Sequence, residues 1–169
     1  DGATLIAGAP AAAVPSFSSG EAYVWRIAAP TLAYCTAKTN SVGCVPSIGS
    51  SGVASASSAA PFQVSVSQVL NQKLGLAFYG YAPAAAPYQG GFLCVQPPTR
   101  RMPSVSSGGS PTGSDCSGSC SYDFNAWIQG GGDPALVPGA DLFVQFWYRD
   151  PASPGTTGLS DALRTQIQS

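Results

Sequence analysis

Apolar residues recur at every second position in several short stretches of this chain. In residues 61–67, Phe62, Val64 and Val66 share one side of an extended segment and the polar residues share the other. Residues 74–80 repeat the pattern, with Leu74, Leu76 and Phe78 on one face. Residues 122–128 alternate as well, setting Tyr122, Phe124 and Ala126 opposite Asp123 and Asn125. Each pattern predicts a half-buried strand. Residues 142–149 form a nearly unbroken apolar run, which predicts a central strand covered on both faces. Shorter strands are expected at 4–8, 21–27 and 90–95. Residues 160–163 read as a single helical turn, and 164–168 as an edge strand.

Between these stretches lie segments of Gly, Ser, Pro and Ala. Residues 81–87 and 97–121 read as loops, and 49–59 as a loop or a sheet of small residues. Many short strands joined by Gly and Pro turns predict an all-β fold, a disulfide-stapled β-sandwich with a jelly-roll-like arrangement. In that arrangement the rows 62–66, 74–78 and 143–147 pack against one another. An N-terminal β-hairpin with its linker occupies 1–31, and the sandwich domain occupies 32–169.

Composition narrows the possible functions. Of 169 residues only 9% are charged, with a formal net charge of -1. Seven scattered positive charges build no long basic face, so no nucleic-acid partner is expected. The chain has no histidine, which excludes a histidine zinc site and a histidine-based triad. Its apolar runs are short and broken by proline, so no membrane insertion is expected. One Glu and two Lys in the whole chain leave few polar helix formers. The aromatic strands argue against disorder.

Five cysteines in so uncharged a chain point to an exported protein stapled by disulfides. A local bridge from Cys35 to Cys44 is expected, with Cys94 paired to Cys116 or Cys120 and one thiol left over. The alternative is five buried thiols in a cytosolic chain. The start at Asp1 is expected to be that of a mature piece or fragment of a longer protein.

Four consecutive residues, Trp147, Tyr148, Arg149 and Asp150, form the densest group of sugar-binding types. Neighbours in a strand point to opposite faces, so all four cannot serve one site without a bulge. The competing reading buries Trp147 in the core and pairs Arg149 with an acid. Asp115, Asp123, Asp133 and Asp141 could contribute to a calcium site, but their spacing matches no known loop, and Asp133 before Pro134 is ordinary turn chemistry. No metal or other cofactor is expected. A glycosidase would need two facing acids, and nothing singles out a pair among seven Asp and one Glu. The Gly130-Gly131-Gly132 run lacks the Lys and helix of a phosphate loop. The chain is therefore read as a non-enzyme.

Residues 1–27 resemble one unit of the FG-GAP repeats of integrin-like propellers, through Asp1-Gly2-Ala3-Thr4-Leu5-Ile6-Ala7-Gly8-Ala9-Pro10 and Ser19-Gly20-Glu21-Ala22-Tyr23-Val24-Trp25. The calcium loop of that family has no counterpart here. Residues 34–168 resemble a C-terminal domain of large secreted or surface repeat proteins of Planctomycetes-like and Myxobacteria-like bacteria. The residues that carry the resemblance include Tyr34-Cys35-Thr36-Ala37, Gly90-Gly91-Phe92-Leu93-Cys94-Val95 and Gln145-Phe146-Trp147-Tyr148-Arg149-Asp150-Pro151. Cys120 falls where that family implies an apolar residue, which makes it the expected unpaired cysteine. Together these readings imply a secreted, non-catalytic structural or adhesive domain of the outer cell surface. It could self-associate through its N-terminal strands into a filament, or bind other surface proteins. The alternative is a carbohydrate-binding module that holds polysaccharide on exposed aromatics.

Overall fold

The computed structural model describes the strands β1 (Thr4–Gly8) and β2 (Ala22–Arg26) and residues 30–169. The chain divides into two units, Asp1–Pro30 and Thr31–Ser169. In the first, β1 and β2 pair antiparallel, with Thr4 opposite Arg26 and Gly8 opposite Ala22. Exchange of these strands with a neighbouring molecule would depend on their side chains, which lie outside the described residues.

In the second unit six strands make a central antiparallel sheet. Its path runs from β10 (Val105–Ser106) to β6 (Leu74–Gly80), β12 (Asp141–Arg149), β13 (Thr157–Gln166) and β3 (Leu32–Tyr34), and β9 (Arg100–Arg101) also joins β6. A second sheet orders β11 (Gly118–Asp123), β5 (Gln63–Val69) and β4 (Ser47–Ser51). A hairpin pairs β7 (Pro83–Tyr88) with β8 (Gly91–Val95). One short helix, α1 (Phe124–Gln129), follows β11 directly.

The layers follow from the strand period of two. On β12, Leu142, Val144, Phe146 and Tyr148 face the second sheet, where Val64, Val66, Val69 and Ile48 complete the main core. Phe143 and Trp147 face the other way, into a smaller cluster with Phe78, Val95, Leu76 and Leu93. The central sheet is thus covered by a sheet on one face and a hairpin on the other. Gly158 of β13 leaves room for the Tyr148 ring, which would overlap any Cβ built there.

A buried amide joins the hairpin to the central sheet. Gln145 is fully buried among apolar neighbours. Its Oε1 accepts from the Cys94 amide at 2.9 Å, and its Nε2 donates to the carbonyls of Phe92 at 3.0 Å and Ser160 at 2.7 Å. The Tyr34 hydroxyl donates to the Cys94 carbonyl at 2.6 Å, and Cys94 is disulfide-bonded to Cys35. The second disulfide joins Cys44 to Cys116. Cys120 is a buried free thiol on β11, its pKa pushed up to about 11 by desolvation, so it stays protonated at neutral pH.

The structure corrects several expectations. Cys35 and Cys44 do not bond to each other, and Cys94 bonds to neither Cys116 nor Cys120. The segment between Cys35 and Cys44 spans from the hairpin to the second sheet. The Asn40 Oδ1 accepts from the Val42 and Cys44 amides and turns the chain, while its Nδ2 donates to the Gln68 carbonyl on β5. Cys44 is thereby carried toward Cys116. The row of Leu74, Leu76 and Phe78 faces the hairpin rather than the main core, and Leu74 is 57% exposed. Its place in the core is taken by Ala77 and Tyr79.

The predicted strand over 122–128 stops at Asp123. The Asp123 carboxylate caps the new helix by accepting from the Asn125 and Ala126 amides. Phe124 and Ile128, four apart, then share the buried face. Residues 160–163 are strand, and β13 lies inside the sheet between β12 and β3 rather than at an edge. The proline-rich stretch read as a loop supplies β7, an edge strand with one neighbour, where a missing N–H is tolerated.

Replacing Gln145 with Leu keeps the volume but leaves the Cys94 amide and two carbonyls unpaired. The expected loss is about 2–4 kcal/mol of unfolding free energy in urea. The Cys94 amide should also lose its protection against hydrogen exchange.

Candidate functional site

The seam between the hairpin and the central sheet opens into a cleft of about 400 Å³. Its floor is formed by Leu76 and Phe78 of β6, Trp147 of β12 and Leu159 of β13. One wall is Tyr88, Gln89 and Leu93 of the hairpin. The rim is completed by Thr99, Arg101, Arg149 and the turn at residues 155–157. Among the described residues, no Asp or Glu lines this cleft.

Strand alternation sorts the four consecutive candidate residues. Trp147 is half-buried on the cleft floor and Arg149 is exposed at its rim. Tyr148 and Asp150 point the other way and are fully buried. Desolvation pushes the Tyr148 phenol well above its ordinary pKa. Neither the Tyr148 hydroxyl nor the Asp150 Oδ1 has a hydrogen-bond partner among the described residues, whereas the Asp150 Oδ2 accepts from the Ser41 amide at 2.9 Å. Arg149 therefore does not pair with Asp150. Its guanidinium stands 5.8 Å from the Trp147 ring centroid, in cation–π range.

The same alternation divides Arg100 from Arg101 on β9. Arg100 reaches Asp133 at 3.5 Å. Arg101, opposite Phe78, faces the cleft. Among the described residues, neither Arg101 nor Arg149 has an ion-pair partner.

The rim is held rigidly from behind. The Lys38 ammonium is buried and donates to the carbonyls of Gln89 at 2.7 Å, Pro154 at 2.5 Å and Thr157 at 2.7 Å. Desolvation lowers its pKa and the charge of Asp150 opposes the shift. This tripod ties the hairpin turn to the turn before β13. The Thr157 hydroxyl adds a bond to the Gln89 Oε1 at 2.8 Å. Both turns are strained. Gln89 has a φ of 49° and Thr156 a φ of 56°, the latter a marked outlier for a β-branched residue. The ammonium stabilises a rim conformation that the local sequence disfavours.

The acidic residues weighed as calcium ligands are dispersed, and no cluster of three metal-binding side chains occurs among the described residues. Asp115 accepts from the Ser117 amide and hydroxyl. Asp123 caps α1. Asp141 pairs with Arg164 at 3.4 Å, beside a second and more open hollow that contains Tyr34, Tyr81 and Phe143. Asp133 is buried in a network, accepting from the hydroxyls of Tyr81 at 2.6 Å and Tyr79 at 3.1 Å, while the Trp127 indole donates to the Tyr79 hydroxyl. Trp127 thus packs at the core margin and serves no open site. Among the described residues, no helix is long and apolar enough to cross a membrane.

Arg101, Tyr88 and the 155–157 turn belong to the site but were not singled out in the sequence. The usable signals were the Gln89-Gly90 turn after Tyr88 and the adjacent pair Arg100-Arg101, which any strand must split between two faces. Nothing among family models, curated proteins or solved structures matches the chain.

Burial raises the Asp133 pKa, but the bonds from Tyr81, Ala135 and Tyr79 and the charge of Arg100 outweigh it and hold the carboxyl below its ordinary value. Its stabilisation is therefore complete above the unfolded pKa of about 3.9 and is lost as pH falls through the lower folded value. In urea titrations across pH, Asp133→Asn should be about 1–3 kcal/mol less stable at neutral pH. The gap to the parent protein should close as the solution is acidified.

Proposed function

We propose that this domain is a non-catalytic, extracellular adhesive module that holds a saccharide in the cleft over Trp147. The observation that carries the reading is the cleft's composition. An apolar floor with one indole face, flanked by the 41% exposed Tyr88 ring, is rimmed by polar groups fixed in place. Sugar rings present apolar C–H faces and a polar edge, and aromatic floors with few oriented polar groups suit both. The two disulfides and the Lys38 tripod support it further, because a rim held rigid before binding loses little entropy on binding. Among the described residues no carboxylate lines the cleft to form an acid–base pair for glycoside cleavage, which favours holding over hydrolysis. Disulfide use supports a domain that works outside the reducing cytosol, at the outer cell surface in this reading. The purely structural reading leaves the strained rim and the open indole without a role.

Titration of the intrinsic tryptophan fluorescence with a panel of neutral and acidic trisaccharides tests this. At least one should bind and perturb the emission. Tyr88→Ala should weaken that binding about five- to tenfold while leaving thermal unfolding unchanged, because the ring is exposed. A flat response across the whole panel would sink the reading.

A further inference from the structure

The cleft's charge specifies its ligand beyond a saccharide in general. The described residues include four arginines of the second unit, and two of them are neutralised: Arg100 by Asp133 and Arg164 by Asp141. The other two, Arg101 and Arg149, both line the cleft, and no acid lines it with them. Among the described residues, this leaves a concave surface with two positive charges and no compensating negative one. The arrangement follows from the fold. The alternation of β9 sends Arg101 to the hairpin face and Arg100 to the Asp133 network. The alternation of β12 sends Arg149 to the same face as Trp147.

We infer that the cleft binds an acidic saccharide, one whose sugar ring carries a carboxylate, with the ring stacked on Trp147 and the carboxylate held by Arg149 and Arg101. A guanidinium held 5.8 Å from an indole centroid is positioned beside the ring, and its N–H groups form a fork that matches the two oxygens of a planar carboxylate. A uronic acid unit offers both halves of this match, an apolar ring face and a planar anion at its edge. Thr99, Thr156 and Gln89 at the rim supply neutral polar groups for hydroxyls. This inference rests on the saccharide reading above and assigns its ligand class.

The test is calorimetric titration of the full chain with trigalacturonate and with its carboxyl-reduced counterpart, trigalactose. Trigalacturonate should bind at least tenfold more tightly, and its affinity should fall as salt is raised. Arg149→Gln and Arg101→Gln should each weaken trigalacturonate about tenfold. Arg149→Lys, which keeps the charge but loses the fork, should recover only part of the loss. Arg164→Gln, on the other hollow, should bind like the parent. Equal binding of trigalactose would overturn the acidic assignment and leave the saccharide reading standing. Binding of neither sugar, nor of a sulfated galactan oligosaccharide, would overturn both. A sulfated galactan oligosaccharide that binds where trigalacturonate does not would overturn the carboxylate assignment. Tetra-aspartate binding as tightly as trigalacturonate would overturn the role of the sugar ring.

Discussion

One buried amide fastens the hairpin layer to the central sheet. Gln145 sits in the most apolar strand of the chain and spends its donor and acceptor groups on the hairpin and on β13. A hairpin alone has too little apolar area to stay folded against a sheet. Here its β8 strand is fastened by the Gln145 bonds, by the Tyr34 hydroxyl and by the disulfide to Cys35. All three act on or beside Cys94. Without them the second face of β12 would be open to solvent, and Phe143, Phe78 and Val95 would lose their cover.

The cleft is a consequence of that third layer. The hairpin covers only part of the sheet face, so Trp147, Leu76 and Phe78 are roofed at one end and open at the other. The Lys38 ammonium ties two parts of the rim together, because it bonds at once to the hairpin turn and to the turn before β13. A buried lysine is costly unless its hydrogen-bonding capacity is met. Three carbonyls meet it, and the energy of those contacts offsets the strained backbone at Gln89 and Thr156. Stability and the shape of the cleft are therefore coupled through one side chain that does not line it.

Much of the strand framework was legible because burial imposes period two. Residues 62–66, 74–80 and 142–149 declared their strands, and the last its coverage on both faces. The errors lie where a single residue outweighed the pattern. Asp123 capped a helix in the middle of an alternating run, since a carboxylate that satisfies two orphan amides outweighs a weak strand preference. The prolines at 83 and 87 hid an edge strand. At the site, Trp147 and Arg149 were in view, but Tyr148 and Asp150 stood beside them with equal chemical credentials. Only the direction of the face separates the two pairs.

By itself the sequence determined the class of structure: short alternating strands, few charges and cysteines enough for staples. Those properties are local, and each is written in a window of a few residues. It did not determine which cysteines meet, which side of the 74–78 row is core, or which arginines lack a counter-ion. Cys35 and Cys94 lie 59 residues apart, and Arg101 and Asp133 belong to opposite faces of one strand's neighbourhood. Such pairings depend on how sheets stack, because strand alternation specifies two faces without saying what covers either. The tertiary structure supplied the cover, and with it a basic cleft, uncompensated among the described residues, on which the function is proposed to rest.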